Sequence, residues 1–408
     1  APTLAGMRTL ARASQDADVN VVIAAAEGLG KADLAGEEAR ELALRTLTSL
    51  LSSDHTQVRV AALEALRTLD AIVPWSSLEP LFQDALLRRN AIATAAGNTA
   101  PRAFLFLAQA IADPSSTLAR EAVVSLGRSL EESWGDEELA DIAVKTLRTS
   151  AAAKARLRTI AKDATDSVAR GAAILTLGLV RDPDDVSLIA DALADDDVAE
   201  RAEAALRLYG QDAVEPLLVA GRSAAPSLRG ATISMLPELA SSESEQKPLA
   251  AVREALDDPS SEVGAPALKS LAIVGDGSDL LPVARHTRSA DPTVASAAAS
   301  ALLAIASRHP KPARAMIANV DPRSEDALWA AIAFEVIGCA GESLPSDETF
   351  LEHALTHREA SVRRSAIEAL AALGTEDAAH AISVSLADEE AVVALAAIRA
   401  LGRLRRAE

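Results

Sequence analysis

His353 and His357 stand four residues apart, a spacing that puts both imidazoles on one helix face and could hold zinc. The segment reads HALTH, without the glutamate of a hydrolytic zinc helix, and no third ligand falls on that face. The expectation is a surface pair without metal. The single cysteine, Cys339, follows the apolar run FEVIG, and one thiol excludes both an internal disulfide framework and a cysteine-based zinc site. It reads as a buried, inert thiol. No Ser-His-Asp nucleophile motif appears, and no glycine loop follows a strand. The expectation is therefore no catalytic residue, no cofactor and no metal.

Charge is the next source of chemistry. Lys145, Arg148, Lys154, Arg156, Arg158 and Lys162 fall in one stretch with no acid between them. The chain as a whole carries 40 Lys+Arg against 59 Asp+Glu, a net charge of −19. Such an island of cations reads either as a docking site for an acidic segment or a phosphate group, or as solvated helix faces paired with acids from elsewhere. A second set is Arg59, Arg89, Arg120, Arg170, Arg229 and Arg363, each at or near the start of a helix. In a row they could grip carboxylates or phosphates with forked bonds. The acidic balance argues against a phosphate-backbone ligand overall, though not against a local basic patch. Trp75, Trp134 and Trp329 read as packing residues or, if exposed, as partner anchors.

These residues must be positioned by helices. The chain has 408 residues, 49% hydrophobic yet only 2% aromatic, so Ala, Leu and Val must fill the interior. That favours closely packed helices. A phrase recurs: an acidic turn, a Val/Leu-Arg pair, small residues, then Ala-Leu. It reads DHTQVRVAALEALRTL from Asp54, REASVRRSAIEALAALG from Arg358 and EEAVVALAAIRALGRL from Glu389. Aligned on the late apolar residue, the anchors are Leu29, Leu66, Ala96, Leu126, Leu177, Leu206, Leu236, Leu271, Leu302, Ile337, Leu370 and Leu401. Most steps are near 30 residues, which fits two helices and two short turns. Leu44, Leu47 and Leu51 mark one apolar helix face, and Val58, Ala62, Leu66 and Leu69 another. Asp-Pro pairs at Asp113, Asp258, Asp291 and Asp321 supply helix starts. The step from Leu126 to Leu177 is longer, and residues 131–165 read as an irregular insertion with an extra helix.

On the phrases VRVAALEAL, VRRSAIEALAALG and ALAAIRALG, the chain resembles the HEAT-repeat family, in the short bacterial form similar to phycobilisome-lyase repeats. The resemblance covers nearly the whole chain. It implies an all-α protein, an α-solenoid of about twelve HEAT-like helix pairs in a single continuous array over residues 1–408, with second helices lining a concave surface. It also implies that the arginines pair with turn aspartates of neighbouring repeats, for which Asp54, Asp113, Asp166, Asp258 and Asp291 are candidates. Ala96, Pro237 and Trp329 depart from the pattern in repeats three, seven and ten.

The function expected is a non-catalytic scaffold binding a protein or an acidic peptide on its curved surface. A bilin lyase-type enzyme and a nucleic-acid-binding solenoid are the alternatives; both would need a ring-lined groove that nine aromatics supply poorly. No run of about 18 apolar residues is present to cross a membrane. The expected location is cytoplasmic, although a start at Ala1 leaves loss of Met, loss of a leader or excision from a longer chain open. The last helix keeps an apolar stripe of Val393, Leu401 and Leu404, so a covering segment or partner is expected beyond it. The oligomeric state is not legible.

Overall fold

The computed structural model describes residues 3–133, 135–223, 225–239, 246–317 and 345–404. Every regular element among them is helical, and the architecture is an α-solenoid. Contacts group the chain into two compact units, Ala1–Ala213 and Val214–Glu408.

In the first unit the second helices of successive pairs are α2 (Val19–Leu29), α4 (Thr56–Thr68), α6 (Arg88–Thr94), α8 (Ser116–Glu132), α11 (Ser167–Val180) and α13 (Ala199–Tyr209). Each packs on the next, forming one layer. The first helices include α1 (Leu4–Ala13), α3 (Glu37–Leu50), α5 (Trp75–Leu78), α7 (Pro101–Ala110), α9 (Glu137–Thr149), α10 (Ala151–Asp163) and α12 (Val186–Asp191). The long sequence step thus holds two helices: α9 packs beside α7, and α10 pairs with α11.

Leucine anchors fill the seam between layers, with Leu29, Leu66, Leu126, Leu177 and Leu206 fully buried. In the third repeat the register differs by one residue from the sequence alignment: Ala95 is fully buried, while Ala96 is half-buried. Small residues let second helices touch. A Cβ added to Gly178 would lie 2.6 Å from the Ala205 Cβ of α13, so this crossing tolerates no side chain. Trp75 is 9% exposed and stacks on Phe82 at 5.1 Å, with Phe106 at 5.7 Å, so it is a packing residue rather than an anchor held out to solvent. Trp134, Trp329, Cys339, the Ile337 anchor and the Asp321-Pro322 turn lie outside the described residues.

The second unit contains α14 (Val214–Ser223), α15 (Pro226–Leu239), α16 (Gln246–Glu254), α17 (Ser261–Val274), α18 (Leu280–His286), α19 (Pro292–Arg308), α20 (Pro310–Ile317), α21 (Pro345–Ala354), α22 (Ala360–Leu373), α23 (Glu376–Val384) and α24 (Ala391–Leu404). Here α15, α17 and α19 stack in succession, as do α22 and α24.

Pro237 lies inside α15 without ending it. A proline has no amide to donate, so the carbonyl four residues back, on Ile233, loses its helical partner. The hydroxyl of Ser270 on α17 donates to that carbonyl at 3.1 Å. Ser270 is buried, so Ser270→Ala should strand the carbonyl and cost about 1–3 kcal/mol in denaturant unfolding. A cost below a few tenths would mean that the bond contributes nothing net.

The last helix corrects one expectation. Val393 is fully buried against the preceding pair, and Leu401 and Leu404 are half-buried. The outward face instead carries Val392, Leu395 and Ile398, each at least half exposed.

Candidate functional site

The arginines at the second-helix starts form a ladder within the chain. Arg59 meets Asp84 at 3.2 Å, Arg88 meets Asp113 at 3.2 Å and Arg170 meets Asp195 at 2.7 Å. In the second unit Arg229 forks onto Asp258 at 3.0 and 3.1 Å, and Arg363 onto Asp388 at 2.8 and 2.9 Å. In each pair the aspartate sits in the turn that starts the next second helix. Its other task is local: Asp84, Asp113, Asp195, Asp258 and Asp388 each accept the amide two residues on. One carboxylate therefore fixes its own turn and ties it to the previous repeat.

Two of the sequence-selected arginines stand outside this ladder for a register reason. Each ladder arginine lies seven residues before its buried anchor, as Arg59 does before Leu66 and Arg363 before Leu370. By that count the third repeat uses Arg88, before Ala95, and Arg89 turns to Glu121 at 3.0 Å. In the fourth, Ala119 occupies the ladder position, and Arg120 is half-buried with no partner among the described residues. Of the expected aspartates, Asp113 and Asp258 serve the ladder, while Asp166 and Asp291 instead cap their own helices.

The bonded arginine holds the Asp388 and Asp195 carboxyls below their usual range. Folded values below the ordinary 3.8 mean that this stabilisation is complete above that pH and is lost as the pH falls through the folded values. Thermal stability should therefore drop steeply below about pH 4. The drop should be shallower in Asp388→Asn, as a pH series of melting curves would show.

The cation run is met mostly from inside the chain. Lys145 pairs with Asp141 one turn earlier at 3.2 Å. Arg148 donates to the carbonyl of Val180 at 3.0 Å, closing the end of α11. Lys154 and Arg158 both reach Asp182, at 3.1 and 3.2 Å, and Arg158 also bonds Asp185. Arg156 donates to the carbonyl of Pro114 at 3.3 Å. Lys162 alone of the six is exposed and without a partner among the described residues. Asp185 is 1% exposed, and burial pushes its carboxyl above the usual range against the pull of Arg158. Tyr209 completes the cluster, its hydroxyl donating to the Asp182 carbonyl at 2.8 Å, and burial raises its phenol as well.

A groove of about 560 Å³ crosses α4, α6, α8, α11 and α13. Its floor is made of small residues: Ala93, Ala96, Ser125, Gly127, Gly171 and Ala172. Its walls carry both signs of charge. Arg201 is tied to Glu131, Arg128 to Asp70 with Glu132 also in its field, and Glu121 to Arg89, which leaves Arg67 and Asp197 without an ion pair among the described residues. Val168 stands at the lip, 63% exposed. A smooth floor lets a backbone approach closely, and free charges of both signs can fix its register. Gly171, a glycine in mid-helix, is accounted for within the chain: a Cβ there would lie 3.1 Å from the Arg201 Cγ, so the close approach is that of Arg201.

The expected surface pair holds for one histidine and not for the other. His353 is exposed, whereas His357 is buried and its Nδ1 accepts the amide of Glu359 at 3.0 Å. No helix among the described residues is long and apolar enough to cross a membrane.

No family model and no curated protein matches the chain. Solved structures do. An engineered protein determined as a structural-genomics target is 17% identical, with 98% of each chain covered and a TM-score of 0.43. Importin beta is 15% identical with a TM-score of 0.44, over 98% of this chain and 55% of that one. Kap95p, whose binding induces the switch loops of RanGDP to adopt the GTP-bound conformation, is 12% identical, over 99% of this chain and 56% of that one. The chain spans about half the length of these two transport proteins. Of the three, Kap95p reaches a TM-score of 0.50, and at that identity the likeness speaks for the fold alone: a HEAT-like α-solenoid.

Proposed function

We propose that this protein is a non-catalytic scaffold that holds an extended peptide segment of a partner protein along the second-helix groove of its first unit. The observation that carries this reading is the small-residue floor between walls of unpaired charge. The named solenoid neighbour Kap95p binds another protein, which is consistent with such a use of the fold. The carboxylates of Glu132 and Asp197 in the groove favour a peptide over a phosphate backbone, which they would repel. Acidic side chains of the partner would meet Arg67 in the groove, with Arg120 and Lys162 as further free cations elsewhere on the unit.

Selection from a displayed peptide library on the immobilised protein tests the reading. Enriched peptides should lose binding, by tenfold or more, to the folded variants Ala96→Glu and Val168→Glu. Peptides that bind both variants unchanged would show that the groove is not the docking surface.

A further inference from the structure

The repeat register marks a face of α24 that the rest of the fold keeps covered. Three residues before the buried anchor stand Leu63, Val123, Ile174, Leu268 and Ile367, all fully buried, each on a second helix that packs against a following one. At the same place α24 carries Ile398, which is 57% exposed. Two residues before the ladder aspartate, Phe82, Ile111, Leu193 and Leu256 are at most 7% exposed, whereas Leu386 is 45% exposed. Val392 and Leu395, each about half exposed, continue the strip along the helix. The repeat assigns these positions to contact with a further helix, and among the described residues nothing covers them.

The charges at the two ends of α24 select the occupant. Glu389 and Glu390 stand just before its first turn, and Arg399 and Arg403 lie on its last two turns, all four exposed. Arg399 and Arg403 carry no ion pair among the described residues, and Glu389 only reaches Arg363 at 3.9 Å. An acidic start and a basic end are complementary to themselves when two such helices run antiparallel, and repel when they run parallel. The side-chain sizes follow the same symmetry. Setting Leu395 against Ile398 of a second copy also sets Ala391 against Gly402 and brings Glu390 level with Arg403. Large residues then meet in the middle of the contact and small ones at its ends. A Cβ added to Gly402 would meet nothing within 4 Å, so no contact inside the chain calls for that glycine.

We propose that this face of α24 is a docking surface for a second copy of the chain, the two α24 helices packing antiparallel with Leu395 and Ile398 at the centre and Val392 and Leu386 beside them. Each copy uses the same patch, so the contact closes at two copies. One helix pair covers less than the roughly 1,200–2,000 Å² of a standard interface, so the association is weak. It is separate from the peptide groove and does not depend on it.

Sedimentation equilibrium of the full chain tests the proposal. The chain should be single at about 1 µM and increasingly paired toward several hundred micromolar, the regime of a small interface. Ile398→Glu, at an exposed position, should keep the parent melting temperature and weaken pairing by about tenfold or more. Glu390→Arg and Arg403→Glu should each weaken pairing by about threefold, because like charges then face each other twice. An equimolar mixture of these two variants should pair at least as well as the parent, since every acidic position again meets a basic one. If Ile398→Glu does not fold, the two charge variants and their mixture still decide. A chain that stays single at every concentration would give the face to a different occupant and overturn the proposal, as would an Ile398→Glu protein that pairs like the parent. Assemblies larger than two copies, or a mixture that pairs no better than its components, would overturn the antiparallel contact.

Discussion

Arg363→Ala should destabilise the second unit by about 3–5 kcal/mol, the range for removing one partner of a buried ion pair. Arg363 is 6% exposed, and the Asp388 side chain is 10% exposed, so water cannot readily replace what is lost. The guanidinium also donates to the carbonyls of His357 and Arg358, at 2.8 and 3.0 Å. One side chain thus closes the turn before α22 and ties it to the turn before α24. Alanine would leave a buried carboxylate and two carbonyls without their donor. Arg363→Lys should recover only part of the loss, because an ammonium cannot fork onto both Asp388 oxygens while holding two carbonyls. Denaturant unfolding gives the magnitude, and hydrogen exchange should place the lost protection in α22 to α24. If Asp388→Asn in the Arg363→Ala background costs as much as it does alone, the two residues are not coupled and the ladder is a geometric coincidence.

The helical architecture was legible because its signals are local: the period near 30, the leucine anchors and the aspartate turns all survive in one chain without tertiary knowledge. The one-residue shift in the third repeat was not legible, because alanine stands at both candidate anchors, Ala95 and Ala96, and hydrophobicity cannot choose between them. The adjacent Arg88 and Arg89 both fall near the helix start, so position along the sequence cannot choose between them either. The groove was hidden for a related reason: a surface made by what is missing, as at Ala93 and Ala96, leaves no positive residue signature. For the cation run the sequence left two readings open, a docking site or pairing with acids from elsewhere, and could not name the acids. Asp182 and Asp185 lie beyond α11, more than twenty residues from the cations they meet, so no scan of neighbouring sequence would pair them.

That pairing makes Arg158→Glu the sharpest discriminator between a structural and a recognition role for the run. Read from sequence, Arg158 lies on a solvated face, and reversal should leave the fold intact while weakening an acidic partner. In the structure the change sets a carboxylate against Asp185, which is 1% exposed, and removes the second cation from Asp182. Burial already raises the Asp185 carboxyl, with Arg158 opposing that rise. Without the arginine, Asp185 should hold its proton to a higher pH than it does now or remain as a buried, repelled charge. Either outcome weakens the contact between α10 and the segment leading into α12. The expected cost is roughly 2–3 kcal/mol, below the full range for a buried pair because the Arg158 side chain is itself 37% exposed. Adding Asp185→Asn should restore most of the loss by removing the charge that the introduced glutamate opposes. Lys162→Glu, at the free end of the same run, should leave stability within about 0.5 kcal/mol, the usual effect of a surface substitution. Melting curves of the three variants decide the role of the run: a stable Arg158→Glu protein would return it to the surface as a docking site, while loss with rescue by Asp185→Asn would fix it as a clasp within the first unit.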